Sequence, residues 1–121
     1  MLYSVLIYGK DADVEALGPA EEEAMIARHK VVQQQLAKEG KLGPVVRLVP
    51  TKAATTWRKA EQMVIDGPFA ETKEQLLGFY VVDCQTREEA LEAARQIGTA
   101  CNSRALEVRP IAWYQLTAPA G

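Results

Sequence analysis

Asp66, Glu71, Lys73 and Glu74 crowd one short stretch, IDGPFAETKEQLLGFYVV, residues 65–82, between two apolar runs and around a Gly67-Pro68 step. Carboxylates held beside an apolar sheet are candidates for general-base work near neutral pH. If Ala70–Gln75 turns once as a helix, Glu71 and Glu74 share a face. Lys73 then supplies a cation that can stabilise a developing anion. A plainer reading needs no chemistry. Asp66 caps a turn by accepting backbone N–H bonds, Gly67 relieves the clash with Pro68, and the charges form a solvated loop.

The chain has a single histidine, His29. Met25, His29, Val32 and Leu36 recur at helical spacing and form one stripe. A lone histidine there is either a satisfied core-edge residue or an acid/base group oriented by a carboxylate. Asp66 is the candidate carboxylate, provided the helix packs across the strand that ends at Ile65. One histidine is too few for a typical zinc site, so no metal is expected, and nothing in the sequence calls for a cofactor. Cys84 and Cys101 stand in no C-x-x-C motif and read as free thiols. Trp57, Tyr80, Trp113 and Tyr114 are expected to line a pocket or a dimer contact, and Tyr80 is a ligand-binding candidate together with Glu71, Lys73 and Glu74.

The elements that must position these residues are legible from periodicity. Residues 2–8 alternate as a strand with two apolar faces, which places it inside a sheet. Pro19 and the acids after it start a helix that runs to about Glu39, with Gly40 as its stop. Gly43-Pro44 breaks the chain before a short strand, VVRLV. Thr55–Arg58 and Gln62–Ile65 read as hairpin arms joined by Lys59–Glu61. LLGFYVVD is the strongest strand. Thr86 with Glu89 fits a capping box for a helix that ends near Ile97-Gly98. ALEVRPIAWY closes the chain as a strand that Pro110 ends early or keeps at an edge. The order approximates β-α-β-β-α-β with an extra hairpin element, an α+β fold in one domain, residues 1–115, with a frayed tail over 116–121. Helices on one face leave an apolar sheet face uncovered, which points to a homodimer packed sheet to sheet.

The 121 residues carry a formal net charge of -2, so nucleic acid is not the expected partner. No apolar run is long enough to span a membrane. The first strand lacks the basic flank of a signal peptide, and a cytoplasmic location is expected.

The wording of several segments resembles the YCII-related family, in particular its DGPF-domain branch. The resemblance begins at LYSVLIYG and continues through the helix holding His29. It is strongest over Asp66–Gln75 and Leu77-Gly78-Phe79-Tyr80, and it ends at Glu107-Val108-Arg109-Pro110-Ile111, so it covers nearly the whole chain. It implies a ferredoxin-like fold that dimerises through its sheets as a dimeric α/β barrel. It also implies a site in which a helix histidine and a strand-end aspartate act together, matched here by His29 and Asp66. Residues 97–104 depart from the branch, whose members often have a proline after the helix and then a glycine-rich link. Two functions follow as expectations. One is a small-molecule enzyme with a His29–Asp66 acid/base pair in a cleft. The other is a non-catalytic module that binds a small ligand or regulates a partner.

Overall fold

The chain runs through β1 (Leu2–Gly9), α1 (Asp11–Glu15), α2 (Pro19–Lys38), β2 (Leu42–Arg47), β3 (Thr55–Arg58), β4 (Met63–Asp66), β5 (Gln75–Asp83), α3 (Arg87–Ala100) and β6 (Ala105–Pro110). This is a computed structural model, and it describes residues 1–117. Of the expected tail, 116–121, residues 118–121 lie outside the described residues.

Four strands form an antiparallel sheet in the order β2-β5-β1-β6. With α2 and α3 as the two crossovers, this is the ferredoxin-like arrangement expected. Alternation decides which side is buried. Tyr3, Val5 and Ile7 of β1 face Val82, Tyr80 and Gly78 of β5 across the ladder. They form one core with Leu36 of α2 and with Ala90, Ala93, Ala94 and Ile97 of α3. Burying each large aliphatic chain there contributes roughly 1.5–3 kcal/mol. The alanines let α3 lie close to the sheet. Its start is fixed as expected: the Glu89 N–H donates to Thr86 Oγ1 at 3.1 Å, and the Glu89 carboxylate accepts from the Thr86 N–H at 3.3 Å. Gly40 ends α2 with φ 72°.

Several boundaries differ from expectation, and α3 runs on through Gly98 to Ala100 instead of ending near Ile97-Gly98. Gly43-Pro44 does not precede β2 but lies within it. β2 is an edge strand with a register irregularity between Leu42 and Val45, and proline, which has no N–H to donate, is tolerated at such a place. The five-residue helix α1 replaces a plain turn after β1. It is held by tertiary contacts described below, which local propensity does not report.

Neither sheet closes. β2 and β6 are the open edges of the larger sheet, and β3 and β4 pair only with each other as a separate two-stranded sheet. The expected dimeric α/β barrel is therefore corrected: the fold is a mixed α+β one with two open sheets. The hairpin forms as expected with its first arm at Thr55–Arg58, but its second arm is Met63–Asp66 and not Gln62–Ile65, because Gln62 takes φ 49° in the loop. Its directly opposed Trp57 and Val64 are both exposed.

Gly78 is required where β5 meets β2. A Cβ there would collide with the Val46 carbonyl oxygen, which belongs to a strand backbone. Gly78→Ala is expected to push β2 off the sheet and to destabilise the fold by about 1–3 kcal/mol or more. Urea denaturation of the two proteins measures it.

Candidate functional site

The stripe on α2 is apolar at its ends and polar in its middle. Met25 and Leu36 are buried, whereas His29 and Gln33 are half-buried. This polar middle faces a cavity of about 260 Å³. α2 supplies Met25, Ile26, His29, Lys30 and Gln33; β2 and the residues after it supply Val45–Leu48 and Pro50. Leu77, Gly78 and Tyr80 of β5 form the floor, while Asp11 and Val14 of α1 and Cys101 and Asn102 after α3 close the remaining sides. The volume is just below the roughly 300–1,000 Å³ of pockets that hold drug-sized ligands. Its walls are mostly aliphatic, and a few polar groups converge on it.

His29 and Tyr80 are the centre of that polar group. Nδ1 of His29 lies 2.6 Å from the Tyr80 hydroxyl, and the two rings stack with centroids 5.9 Å apart. Gln33 donates a second hydrogen bond to the same hydroxyl oxygen at 3.3 Å. Tyr80 is 1% exposed, so its O–H must find an acceptor inside the protein. His29 Nδ1 is that acceptor, because the Gln33 amide already donates. The neutral imidazole then carries its proton on Nε2. Burial, and after it the positive charges of Arg28 and Arg47, hold the His29 pKa below its usual value. Burial pushes the Tyr80 phenol up. At neutral pH the pair is therefore uncharged, a hydroxyl feeding an imidazole whose Nε2–H is left to donate.

The rim of the cavity is tied to the charged stretch after β4 by a chain of hydrogen bonds. Gln75 Nε2 donates to the Thr72 carbonyl at 2.7 Å, and Gln75 Oε1 accepts from the Asp11 N–H at 2.9 Å. Asp11 Oδ2 in turn accepts from the Thr51 N–H at 3.0 Å and the Thr51 hydroxyl at 2.5 Å. α1 owes its place to these contacts.

The predicted site residues separate in the structure. His29 and Tyr80 come together. Asp66 ends β4, is exposed, and does not line the cavity. β4 pairs with β3 and not with a strand under α2, so the packing that would bring Asp66 to His29 does not arise. Gly67 after it takes φ 103°, a left-handed conformation glycine adopts without strain. Ala70–Gln75 forms no helical turn. Glu71 and Lys73 are exposed, Glu74 is half-buried, and none of the three lines the cavity. Among the described residues no ion pair joins Asp66, Glu71, Lys73 or Glu74 to any partner. Trp57, Trp113 and Tyr114 are exposed and lie off the cavity. Cys84 is buried, and Cys101 lines the cavity with its thiol donating to the Ile97 carbonyl. Burial pushes both thiols up, which makes them poor nucleophiles at neutral pH. No cluster of three potential metal ligands occurs among the described residues, and no helix there is long and apolar enough to cross a membrane.

Asp11, Lys30, Gln33 and Arg47 are among the cavity residues that the sequence did not single out. Gln33 carried a signal, since it stands one helical turn after His29 on the same face. Asp11 and Arg47 carried none, because only tertiary packing brings them there.

Tyr80→Phe is expected to leave Nδ1 of His29 and the Gln33 amide without their partner, at a cost of about 1–3 kcal/mol. It also removes a hydrogen bond that favours the neutral ring, so the His29 pKa rises. Thermal melting and an NMR pH titration read the two effects. The lowered His29 pKa has its own consequence. The unfolded chain takes up a proton near pH 6.5 while the folded chain resists it, so His29 contributes stability that is present above about pH 6.5 and lost as pH falls toward its folded pKa. His29→Gln should flatten that part of the stability profile.

Two comparisons bear on identity. The YCII-related domain matches residues 1–113. An uncharacterized protein of Rhizobium meliloti (strain 1021) is 49% identical over 118 residues, covering 95% of this chain and 95% of that protein. A family match over nearly the full length agrees with the ferredoxin-like order of strands and helices, and the chain belongs to the YCII-related family.

Proposed function

We infer that the chain acts on a small, largely apolar molecule bound in the cavity between α2 and β2, with neutral His29 donating from Nε2 to an oxygen of that molecule. The observation that carries this reading is the 2.6 Å bond from Tyr80 to Nδ1 in the wall of an aliphatic cavity. A hydrogen bond aimed at an oxygen where charge develops stabilises that charge, most strongly in a water-poor site. A neutral imidazole serves this role better than a base does, because its remaining nitrogen already holds a proton. Reactions through an enolate or another oxyanion fit such a donor. Gln33 and Tyr80 are positioning residues, since they fix which nitrogen carries the proton.

The working group of this proposal is His29 as donor, with Tyr80 holding its tautomer. The exposed stretch with Asp66, Glu71, Lys73 and Glu74 enters it as the support of the rim through Gln75 and Asp11. The alternative, binding without turnover, uses the same cavity and differs only in outcome. Pairing of two chains through the uncovered face of the larger sheet, where Leu6 and Phe79 lie opposite each other, is a further part of the proposal. Sedimentation at micromolar concentration would then show about twice the 13.3 kDa chain mass.

A thermal-shift screen of small oxygen-bearing compounds tests the site, since a ligand raises stability by mass action. Hits should be lost or weakened at least several-fold in His29→Ala and in Ile26→Trp, which fills the cavity. Hits that survive both substitutions would place binding elsewhere and overturn the assignment. Product formation from a hit, abolished in His29→Ala, separates the enzyme from the binding module.

A further inference from the structure

The charges around the cavity oppose the charge of the whole. The chain has a net charge of -2, yet the ionisable groups that line the cavity besides His29, Tyr80 and Cys101 are Lys30, Arg47 and Asp11. Asp11 is already engaged, because its Oδ2 accepts two hydrogen bonds from Thr51. Lys30 pairs with no acid among the described residues. Arg47 pairs with Glu22 of α2 at 2.7 Å, in a half-exposed contact that joins β2 to α2 beside the cavity. Gln33 and His29 add donors and no free acceptor is required of them. Both acids beside the site are already engaged, Asp11 by Thr51 and Glu22 by Arg47, so Lys30, the exchangeable Arg47 pair and an N–H donor offer more to an anion than to a cation.

We propose that the ligand of this cavity is a small organic acid, bound as its carboxylate, whose apolar body fills the aliphatic pocket and whose carboxylate faces Lys30 and Arg47. The proposal deepens the small-molecule reading above and rests on it. Glu22 acts as an internal competitor: it occupies the Arg47 guanidinium in the empty site, and the incoming carboxylate takes its place. A guanidinium prefers a carboxylate in bidentate geometry, so exchange of one carboxylate for another needs no new charge to be buried. The neutral state of His29 fits this assignment too, because the neighbouring arginines that disfavour its protonation would favour an anion instead.

The test uses a matched pair of probes, 3-phenylpropanoate and 3-phenylpropanamide, which differ in charge and hardly in shape. Binding is measured by calorimetry at low salt, and the His29 ring signals are followed by NMR. The native chain should bind the carboxylate about ten-fold more tightly than the amide, and the preference should shrink as salt is raised. Lys30→Gln with Arg47→Gln should bring the two probes to within about three-fold of each other. Glu22→Gln should tighten the carboxylate alone. Lys30 is exposed and the Arg47 and Glu22 side chains are half-exposed, so these variants should fold. Equal binding of both probes by the native chain, with His29 perturbed, overturns the carboxylate assignment and leaves the cavity reading standing. An unchanged carboxylate preference in the double variant also overturns it. Binding of neither probe, with His29 signals unmoved by both, counts against the cavity reading itself, and the inference falls with it.

Discussion

A phenol hydroxyl buried in the middle of a sheet has to be satisfied, and most of this structure follows from how Tyr80 manages it. Its strand runs through the centre of the larger sheet, and its ring forms part of the core with Val5 and Leu36. Only one end of the ring is polar, and that end points at α2. An apolar stripe running the whole length of α2 would leave the hydroxyl orphaned, at a cost comparable to several ordinary contacts. The stripe is instead broken by His29 and Gln33, which reach the same oxygen. The polar break is a condition of stability first. It yields a defined tautomer and an available N–H as a consequence.

The cavity follows from the same region. α2 packs mainly on α3, and its Leu36 belongs to the core under the sheet. Toward its N-terminal half it stands over the edge strand β2, where Pro44 and an irregular register loosen the ladder. Gly78 keeps β2 close to β5 and removes a side chain from the floor. α1, the turn at Thr51 and the loop after α3 then wall off the gap. None of these elements is large. Their contribution lies in hydrogen bonds between distant parts of the chain, of which Gln75 to Asp11 to Thr51 is the clearest.

Much of the fold was legible because it rests on local rules. The capping box at Thr86, the stop at Gly40 and the alternation in β1 and β5 stand where periodicity and turn chemistry place them, and the hairpin forms with its second arm one residue later than expected. The barrel was not legible in residues and does not form: an apolar sheet face says that something covers it, and not that strands close on themselves. Half of the site was visible. The stripe exposed His29 as an anomaly, and Tyr80 was marked as a ligand-binding candidate. Their pairing was not visible, because it depends on how α2 crosses β5, a relation among residues 51 apart in sequence. Asp66 was attractive for the wording of its segment, but its strand joins the wrong sheet to reach α2. The segment matters through Gln75, a residue whose type promises no chemistry.

Tyr80 fixes the proton of neutral His29 on Nε2. Long-range proton–nitrogen correlation NMR of the ring, with the protein well above the His29 pKa, tests it most directly, because protonated and bare ring nitrogens resonate far apart. A bare-type Nδ1 and a protonated-type Nε2 are expected, with the Tyr80 hydroxyl proton protected from exchange by its bond to the ring. A proton found on Nδ1, or an even mixture of the two tautomers, would contradict it.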